Sequence, residues 1–183
     1  MVMIETALTR LLGITHPILL APMGSASGGK LAAAVTNAGG LGLIGSGYAD
    51  SATIKKELAA AGNTRVGVGF ITWALDKNPA ALDVALAAQP PAVMISFGNP
   101  MPYARAVRDA GVKLICQVQT LTEALEAASA GADSSLRKAA TRAGIRGRRG
   151  GRWVSFQPWW MPSARSRSWL QAASLTDAVL PLP

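Results

Sequence analysis

The sequence predicts an α/β protein built from five consecutive βα units of a (β/α)8 barrel, which is incomplete and followed by an irregular tail. Up to Asp133, short apolar runs alternate with alanine-rich stretches of helical length, a rhythm typical of parallel βα units. The apolar runs lack strict alternation with polar residues, as expected for strands buried on both faces. Each unit spans roughly 25 to 30 residues, the usual size in a (β/α)8 barrel, although a doubly wound sheet has similar units.

The apolar runs are the predicted strands, and the stretches between them are the predicted helices. The strands are Ile18–Ala21, Leu41–Ile44, Val66–Phe70, Ala92–Ile95 and Lys113–Gln117. The helices are Gly29–Ala38, Ser51–Ala61, Pro79–Ala87, Met101–Ala110 and Leu121–Ala130.

Residues that favour helix ends mark several of these boundaries. Ser51 is a candidate N-cap of the second helix, and Asn99-Pro100 can open the fourth. Glycines also follow four of the helices, where the chain needs left-handed backbone. They are Gly39, Gly62, Gly111 and Gly131.

The distribution of charge divides the chain at Asp133. Up to this residue there are nine Lys/Arg and nine Asp/Glu, whereas residues 134–183 contain nine Lys/Arg and one acid, Asp177. The net charge of +8 therefore belongs to the tail, which also holds four of the five tryptophans. We predict two regions, a partial barrel at 1–133 and an irregular or disordered tail at 134–183.

Composition limits the environment and the partners. The single cysteine, Cys116, excludes a disulfide within the chain and favours a cytoplasmic location. No apolar run reaches the length of a membrane span, and the first residues lack the pattern of a secretory signal. The tail arginines could touch nucleic acid, but the charge balance of residues 1–133 argues against nucleic acid as a partner.

Five segments, in this order, resemble nitronate monooxygenases, formerly called 2-nitropropane dioxygenases. They are HPILLAPM (His16–Met23), AAAVTNAGGLGLIG (Ala32–Gly45), GVGFITW (Gly67–Trp73), PPAVMISFGNP (Pro90–Pro100) and CQVQTLTEALEAASAGAD (Cys116–Asp133). The resemblance implies a (β/α)8 barrel that holds FMN at the C-terminal ends of its strands. It also implies that the flavin oxidises an alkyl nitronate, so a small nitronate and dioxygen are the expected partners.

The resemblance further implies flavin contacts at Ala21, Pro22, Met23, Gly69 and Gln117. Residues 21–23 end the first predicted strand, where backbone donors and a soft thioether would lie near the flavin ring. Gly69 stands where many relatives carry asparagine, which removes one expected contact. Gln117 ends the fifth strand, and its amide could hydrogen-bond a flavin edge. Ser96 and Phe97, at the end of the fourth strand, are candidates to line the pocket.

Two sequence motifs of the family do not occur in this chain. One is Q-G-x-E/D-A-G-G-H, whose histidine is the catalytic base of some members; Ile145 stands at its place, so we assign no catalytic residue. The other is A-A-G-G-I-A-D-G-R-G, whose glycines let backbone amides approach the FMN phosphate. His16, the single histidine, precedes the first strand and is interpreted as structural.

A shift of the reading frame near Asp133 would explain the tail. Trp and Met each have a single codon, and every Pro codon begins with CC, so the bases that encode Trp159-Trp160-Met161-Pro162 are largely known. Reading them one base earlier gives the three complete codons of Val-Asp-Ala. The flanks permit P-A-V-V-D-A-V, a string that the family carries here. Leu136–Ile145 and Ser168–Val179 can be re-read as the two missing motifs. DNA sequencing across codons 130–140 tests this frameshift hypothesis.

We therefore expect a truncated, inactive chain that is poorly soluble or partly ordered and does not hold FMN tightly, because five units leave two sheet edges unpaired. Two alternatives stay open. One is a related FMN barrel such as an enoyl-thioester reductase, and the other is a basic nucleic-acid-binding fragment. Salt-dependent retention on DNA that is lost when residues after Asp133 are deleted would favour the fragment.

Overall fold

The computed structural model describes residues 4–137 and 179–181, in which helices and strands alternate along the chain. The helices are α1 (Ala7–Leu12), α2 (Gly29–Asn37), α3 (Ser51–Ala60), α4 (Thr72–Leu75), α5 (Ala80–Ala87), α6 (Met101–Asp109) and α7 (Leu121–Ser129). The strands are β1 (Leu43–Gly45), β2 (Gly67–Ile71), β3 (Ala92–Ser96), β4 (Lys113–Val118), β5 (Ser134–Arg137) and β6 (Val179–Pro181).

These strands form one sheet in the order β1-β2-β3-β4-β5-β6. The first five are parallel and follow one another in chain order, whereas β6 runs antiparallel to β5. At least one helix connects each parallel strand to the next. Consecutive parallel strands with intervening helices are the construction of a (β/α)8 barrel, so the predicted fold class is confirmed, and the barrel is incomplete in the described part of the chain.

Residues of the strands alternate between two apolar layers. Along β3, Val93 and Ile95 pack in the large cluster that also contains helical residues such as Leu82 and Val107. The intervening Ala92 and Met94 belong to a second cluster on the opposite face of the sheet. Successive side chains of a strand point to opposite faces, so helices cover one face and the other becomes the inside of the partial barrel.

The predicted strand at Ile18–Ala21 is wrong as a full strand. It is reduced to one parallel bridge between Leu19 and Leu41, supported by a hydrogen bond from the Leu20 N–H to the Leu41 carbonyl at 2.9 Å. Pro17 precedes this segment and Pro22 follows it, and neither has an N–H to extend the ladder. Proline at both ends therefore confines the pairing to its centre.

The helix ends follow the sequence with one correction. Ser51 is not the N-cap of α3; Asp50 is, and its carboxylate accepts the Ala52 and Thr53 N–H groups at 3.3 and 2.9 Å. The Thr53 hydroxyl also donates to this carboxylate, and that bond first, followed by the two backbone bonds, lowers the Asp50 pKa. The Asn99 side chain opens α6 as predicted, because its Oδ1 accepts the Met101 N–H at 2.9 Å.

The four glycines predicted to follow helices all have left-handed backbone, which confirms their role. Their φ angles are 97° at Gly39, 63° at Gly62, 70° at Gly111 and 76° at Gly131.

Regular structure continues past Asp133, which corrects the expectation that no element follows it. Residues Ser134–Arg137 pair in parallel with β4, and both Ser134 and Ser135 are buried. Asp133 fixes this junction: its carboxylate accepts from Lys113 Nζ and from the Leu114 N–H, each at 2.9 Å. Four mostly polar residues carry no strand signal of their own, so we attribute the strand to the free edge of β4. The rest of the predicted tail, at 138–178, lies outside the described residues.

Candidate functional site

The C-terminal end of β1 and the middle of β2 lie directly beneath the loop that follows Leu20. A β-carbon built on Gly69 would lie 2.3 Å from both Cβ and Cγ of Pro22. A β-carbon on Gly45 would lie 2.6 Å from the Gly24 nitrogen and 2.8 Å from the Met23 carbonyl carbon. Only glycine permits such contacts, so these two glycines let the loop lie directly on the two strands.

Ser27 holds this loop in place. Its Oγ accepts the Met23 N–H at 2.6 Å, and its own N–H donates to the Met23 carbonyl at 2.9 Å. Its carbonyl accepts the Gly45 N–H at 3.0 Å, and the residue is fully buried. The Met23 N–H therefore donates within the protein. It is not free to donate to a ligand, although the sequence analysis expected backbone donors of this segment near the flavin ring.

A cavity of about 140 Å³ lies on the inner face of the sheet. Its lining residues come from the segment before β1 and from four strands; they are Leu19, Leu20, Ala21, Leu43, Met94, Gln117 and Leu136. The walls are aliphatic except for the Gln117 amide. The cavity thus brings together two of the residues predicted to contact a flavin, Ala21 and Gln117, although they lie 96 positions apart in the sequence.

The other predicted residues that the structure describes do not line this cavity. Pro22 covers Gly69, and the Met23 side chain is 53% exposed. Ser96 is buried, and its carbonyl accepts from Thr72 Oγ1 at 2.9 Å. Phe97 has left-handed backbone with φ of 64°. Ile145, the position of the family histidine, lies outside the described residues.

Ser46 is a candidate site residue that the sequence did not single out. It directly follows β1, its N–H donates to the Gly69 carbonyl at 3.0 Å, and only 1% of the residue is exposed. Its hydroxyl has no hydrogen-bond partner within the described part of the chain. An unpartnered buried hydroxyl costs about 1–3 kcal/mol, so this oxygen is available to a ligand or a water at the strand ends.

Two other candidate positions are structural. Cys116 is buried on the helix-covered face, and burial raises the pKa of its thiol to about 12, so it is not a nucleophile at neutral pH. The N-terminus of α2 already has an anion, because Glu57 Oε2 accepts the Gly29 N–H at 2.8 Å. A phosphate has no place there. Across the residues that the structure describes, no group of three or more His, Cys, Asp or Glu side chains could hold a metal ion.

The described residues therefore form the N-terminal part of a parallel (β/α) barrel whose candidate polar groups gather at the C-terminal strand ends. Comparison with known proteins agrees with this class: residues 5–65 match the family model described as nitronate monooxygenase. The N-terminal part of the chain is therefore similar to nitronate monooxygenases, which are oxidoreductases. This likeness agrees with the resemblance found in the sequence.

Individual relatives show the same likeness. A nitronate monooxygenase of Pseudomonas aeruginosa is 31% identical, over 76% of this chain and 51% of its own length. The structure of FabK from Thermotoga maritima matches with a TM-score of 0.64 and 36% identity, over 71% of this chain and 42% of that one. The nitroalkane oxidase of Streptomyces ansochromogenes matches with a TM-score of 0.63 and 27% identity, over 73% of this chain and 48% of that one.

The chain spans about half the length of the curated nitronate monooxygenases that it matches. No helix in the described ranges has both the length and the apolar composition needed to cross a membrane.

Proposed function

We propose that this chain derives from an FMN-dependent enzyme that oxidises alkyl nitronates or nitroalkanes with dioxygen, and that the chain itself is inactive. The observation that carries the proposal is the meeting of Ala21 and Gln117 in one cavity. Both were expected to contact a flavin on the family resemblance alone, and they come from segments at opposite ends of the predicted barrel region. Their convergence is what a shared ligand at the C-terminal strand ends requires.

The cavity residues fit one edge of a flavin ring. Sites for small ligands usually enclose about 300–1,000 Å³, whereas this cavity has about 140 Å³, so it would take an edge of the ring and leave the remainder over its mouth. There the half-exposed Met23 would contact the ring. Gln117 would hydrogen-bond the polar edge of the ring, and Leu43 and Met94 would exclude water from it. When bound, FMN would supply the redox chemistry by accepting electrons from the substrate and passing them to dioxygen.

Inactivity follows from the groups that the sequence does not contain. The family histidine is replaced by Ile145, so the chain has no base at that position to take a proton from a nitroalkane. The glycine-rich motif expected to hold the FMN phosphate does not occur in the sequence either. We attribute both losses to the frameshift near Asp133, which changes every later residue.

The decisive experiment compares this chain with a frame-restored protein made by reversing the single-base shift near codon 133. We expect the restored protein to purify yellow, with the visible spectrum of bound FMN, and to consume dioxygen when given an alkyl nitronate. The original chain should do neither. A restored protein that binds no flavin would contradict the proposal, and so would an original chain that is yellow, monomeric and active.

Within the restored protein, the ring-edge contact can be tested separately. Gln117→Leu should weaken FMN binding about tenfold, because it removes one hydrogen bond to the ring and leaves a polar ring atom unpaired. Gln119→Leu is the matched control, since Gln119 is an exposed amide two residues further on. Flavin fluorescence titration measures both. Equal affinities of the two variants would remove Gln117 from the site.

The same preparation tests the alternative activity. The likeness to FabK has the higher identity of the two solved structures above, at 36% against 27%. An assay with NADPH or NADH and an enoyl thioester should therefore run beside the nitronate assay. Consumption of the reduced nicotinamide with the thioester, and no reaction with the nitronate, would favour an enoyl-thioester reductase.

A further inference from the structure

Three exposed side chains form a cluster on the rim of the strand ends, outside the cavity described above. They are Tyr48, Trp73 and Lys77, here called the rim triad. The Tyr48 and Trp73 ring centroids are 5.6 Å apart, with the ring planes tilted by 47°. Lys77 Nζ lies 5.6 Å from the centroid of the Trp73 ring. Tyr48 follows β1 and Trp73 follows β2, so both stand at the C-terminal end of the sheet.

The rings of the triad are open to solvent. Tyr48 is 78% exposed and Trp73 is 41% exposed, both unusual for large aromatic residues. The tilt between the rings leaves the Tyr48 faces accessible, whereas one face of Trp73 carries the lysine. An accessible aromatic face is a stacking surface for a planar ring.

The backbone that presents Tyr48 is strained and firmly held. Gly47 and Ala49, on either side of it, have φ of 59° and 58°, and this left-handed conformation is unfavourable for alanine. Ala49 is fully buried, and its carbonyl accepts from Asn78 Nδ2 at 2.8 Å. Asn78 adjoins Lys77, so one hydrogen bond joins the turn that carries the tyrosine to the turn that carries the lysine.

No ion pair among the described residues neutralises the positive charge of the triad. Lys77 forms no ion pair with any residue of the described ranges. The two carboxylates nearest to the triad in sequence have other partners: Asp76 accepts from the Tyr103 hydroxyl, and Asp50 caps α3. An anion beside the rings would therefore meet a free ammonium.

From this geometry we propose that the rim triad binds a planar aromatic ring that carries an anionic group. The ring stacks on Tyr48 against the edge formed by Trp73, and Lys77 pairs with the anion. Such a ligand is either a nucleotide, with a base and a phosphate, or an aromatic carboxylate. The site needs no flavin, so it stands apart from the function proposed above.

The test measures binding to the full chain, without FMN, by ligand-detected NMR. The probes are adenosine monophosphate and benzoate, with adenosine, benzyl alcohol, inorganic phosphate and acetate as partners that lack either the charge or the ring. We expect at least one aromatic anion to bind more tightly than its neutral and its non-aromatic counterparts. Binding of adenosine monophosphate alone identifies a nucleotide site, and binding of benzoate identifies an aromatic carboxylate site. If neither aromatic anion exceeds its counterparts, the proposal is wrong.

Substitutions then locate the binding. Tyr48→Ala should weaken it about tenfold, and Tyr48→Phe, which keeps the ring, should weaken it less than twofold. Lys77→Gln should weaken it about threefold to tenfold, whereas Lys56→Gln, which removes an exposed lysine of α3, should have no effect. Circular dichroism checks that each variant is folded. Equal losses in the Lys77 and Lys56 variants would indicate attraction by net charge and would overturn the site.

Discussion

The ring of Pro22 occupies the space that a side chain on Gly69 would need, since a β-carbon there would lie 2.3 Å from two atoms of the proline. This contact joins the loop before β1 to the middle of β2. It bears on a departure noted in the sequence, because the family resemblance implies an asparagine at this position. In this chain an asparagine at residue 69 would collide with Pro22 in its present position.

Gly69→Ala should therefore destabilise the protein by about 1–3 kcal/mol, the usual cost of forcing extra volume into a packed region. Denaturant unfolding measures the change. Pro22→Gly in the same chain should remove most of the added cost, because it removes both atoms that the new methyl group meets. If the two substitutions are simply additive, the contact does not limit residue 69.

The hydrogen bonds of Ser27 predict a second effect on stability. Ser27→Ala leaves the Met23 N–H without its 2.6 Å acceptor, and we expect a loss of about 1–3 kcal/mol together with faster proteolysis of the loop at 21–27. Ser25→Ala is the control, because Ser25 is exposed in the same loop. Indistinguishable unfolding midpoints of the two variants would show that Ser27 does not anchor the loop.

The Tyr103 hydroxyl gives a prediction about pH. Burial first, and then the hydrogen bond and charge of Asp76, raise the pKa of Tyr103 from 10.0 to about 12. The fold thus favours the neutral phenol, so its contribution to stability is complete below pH 10 and is lost as the pH rises from about 10 to about 12. We expect Tyr103→Phe to flatten the fall in unfolding free energy over this range.

The control for this experiment is Tyr48→Phe, since Tyr48 is largely exposed. It should leave the alkaline slope of the parent chain unchanged. A parent chain whose stability does not fall between pH 10 and 12 would contradict the assignment to Tyr103.

The Cys116 thiol should be inert while the chain is folded. Burial raises its pKa from 9.0 to about 12, so little thiolate forms at neutral pH and reagents have no access. Labelling with a thiol-specific disulfide reagent at pH 8 should be slow in buffer and rapid in denaturant. Because the chain has one cysteine, every labelled molecule reports this site. Rapid labelling in buffer would place Cys116 at the surface.

The elements with repeated local signals were predicted well. The ends of all five predicted helices lie within one residue of the observed helices α2, α3, α5, α6 and α7. Two short helices were missed, because α1 has six residues and α4 has four, too few to establish a helical period. The N-cap of α3 was assigned one residue late, since Asp50 and Ser51 are both good caps and only the backbone geometry distinguishes them.

Two residues named from the resemblance lie on one cavity, and their contact with a flavin stays a prediction. Ala21 and Gln117 were named from the resemblance, and the structure places both on the cavity. The aliphatic walls at Leu43 and Met94 could have been found from the alternation of residues along each strand, once the inner face was known. Ser46 could not, because its importance depends on the absence of a nearby hydrogen-bond partner in the described residues.

The sequence by itself determined the βα rhythm, the family resemblance and the change of composition at Asp133, because each depends on the order and chemistry of neighbouring residues. Only the tertiary structure decided that Pro22 excludes a side chain from Gly69, that Ser134–Arg137 becomes a strand, and that Tyr48 meets Trp73. These are contacts between segments that are distant in the chain. Their outcome depends on which atoms compete for one space, or for one free strand edge, after the chain has folded.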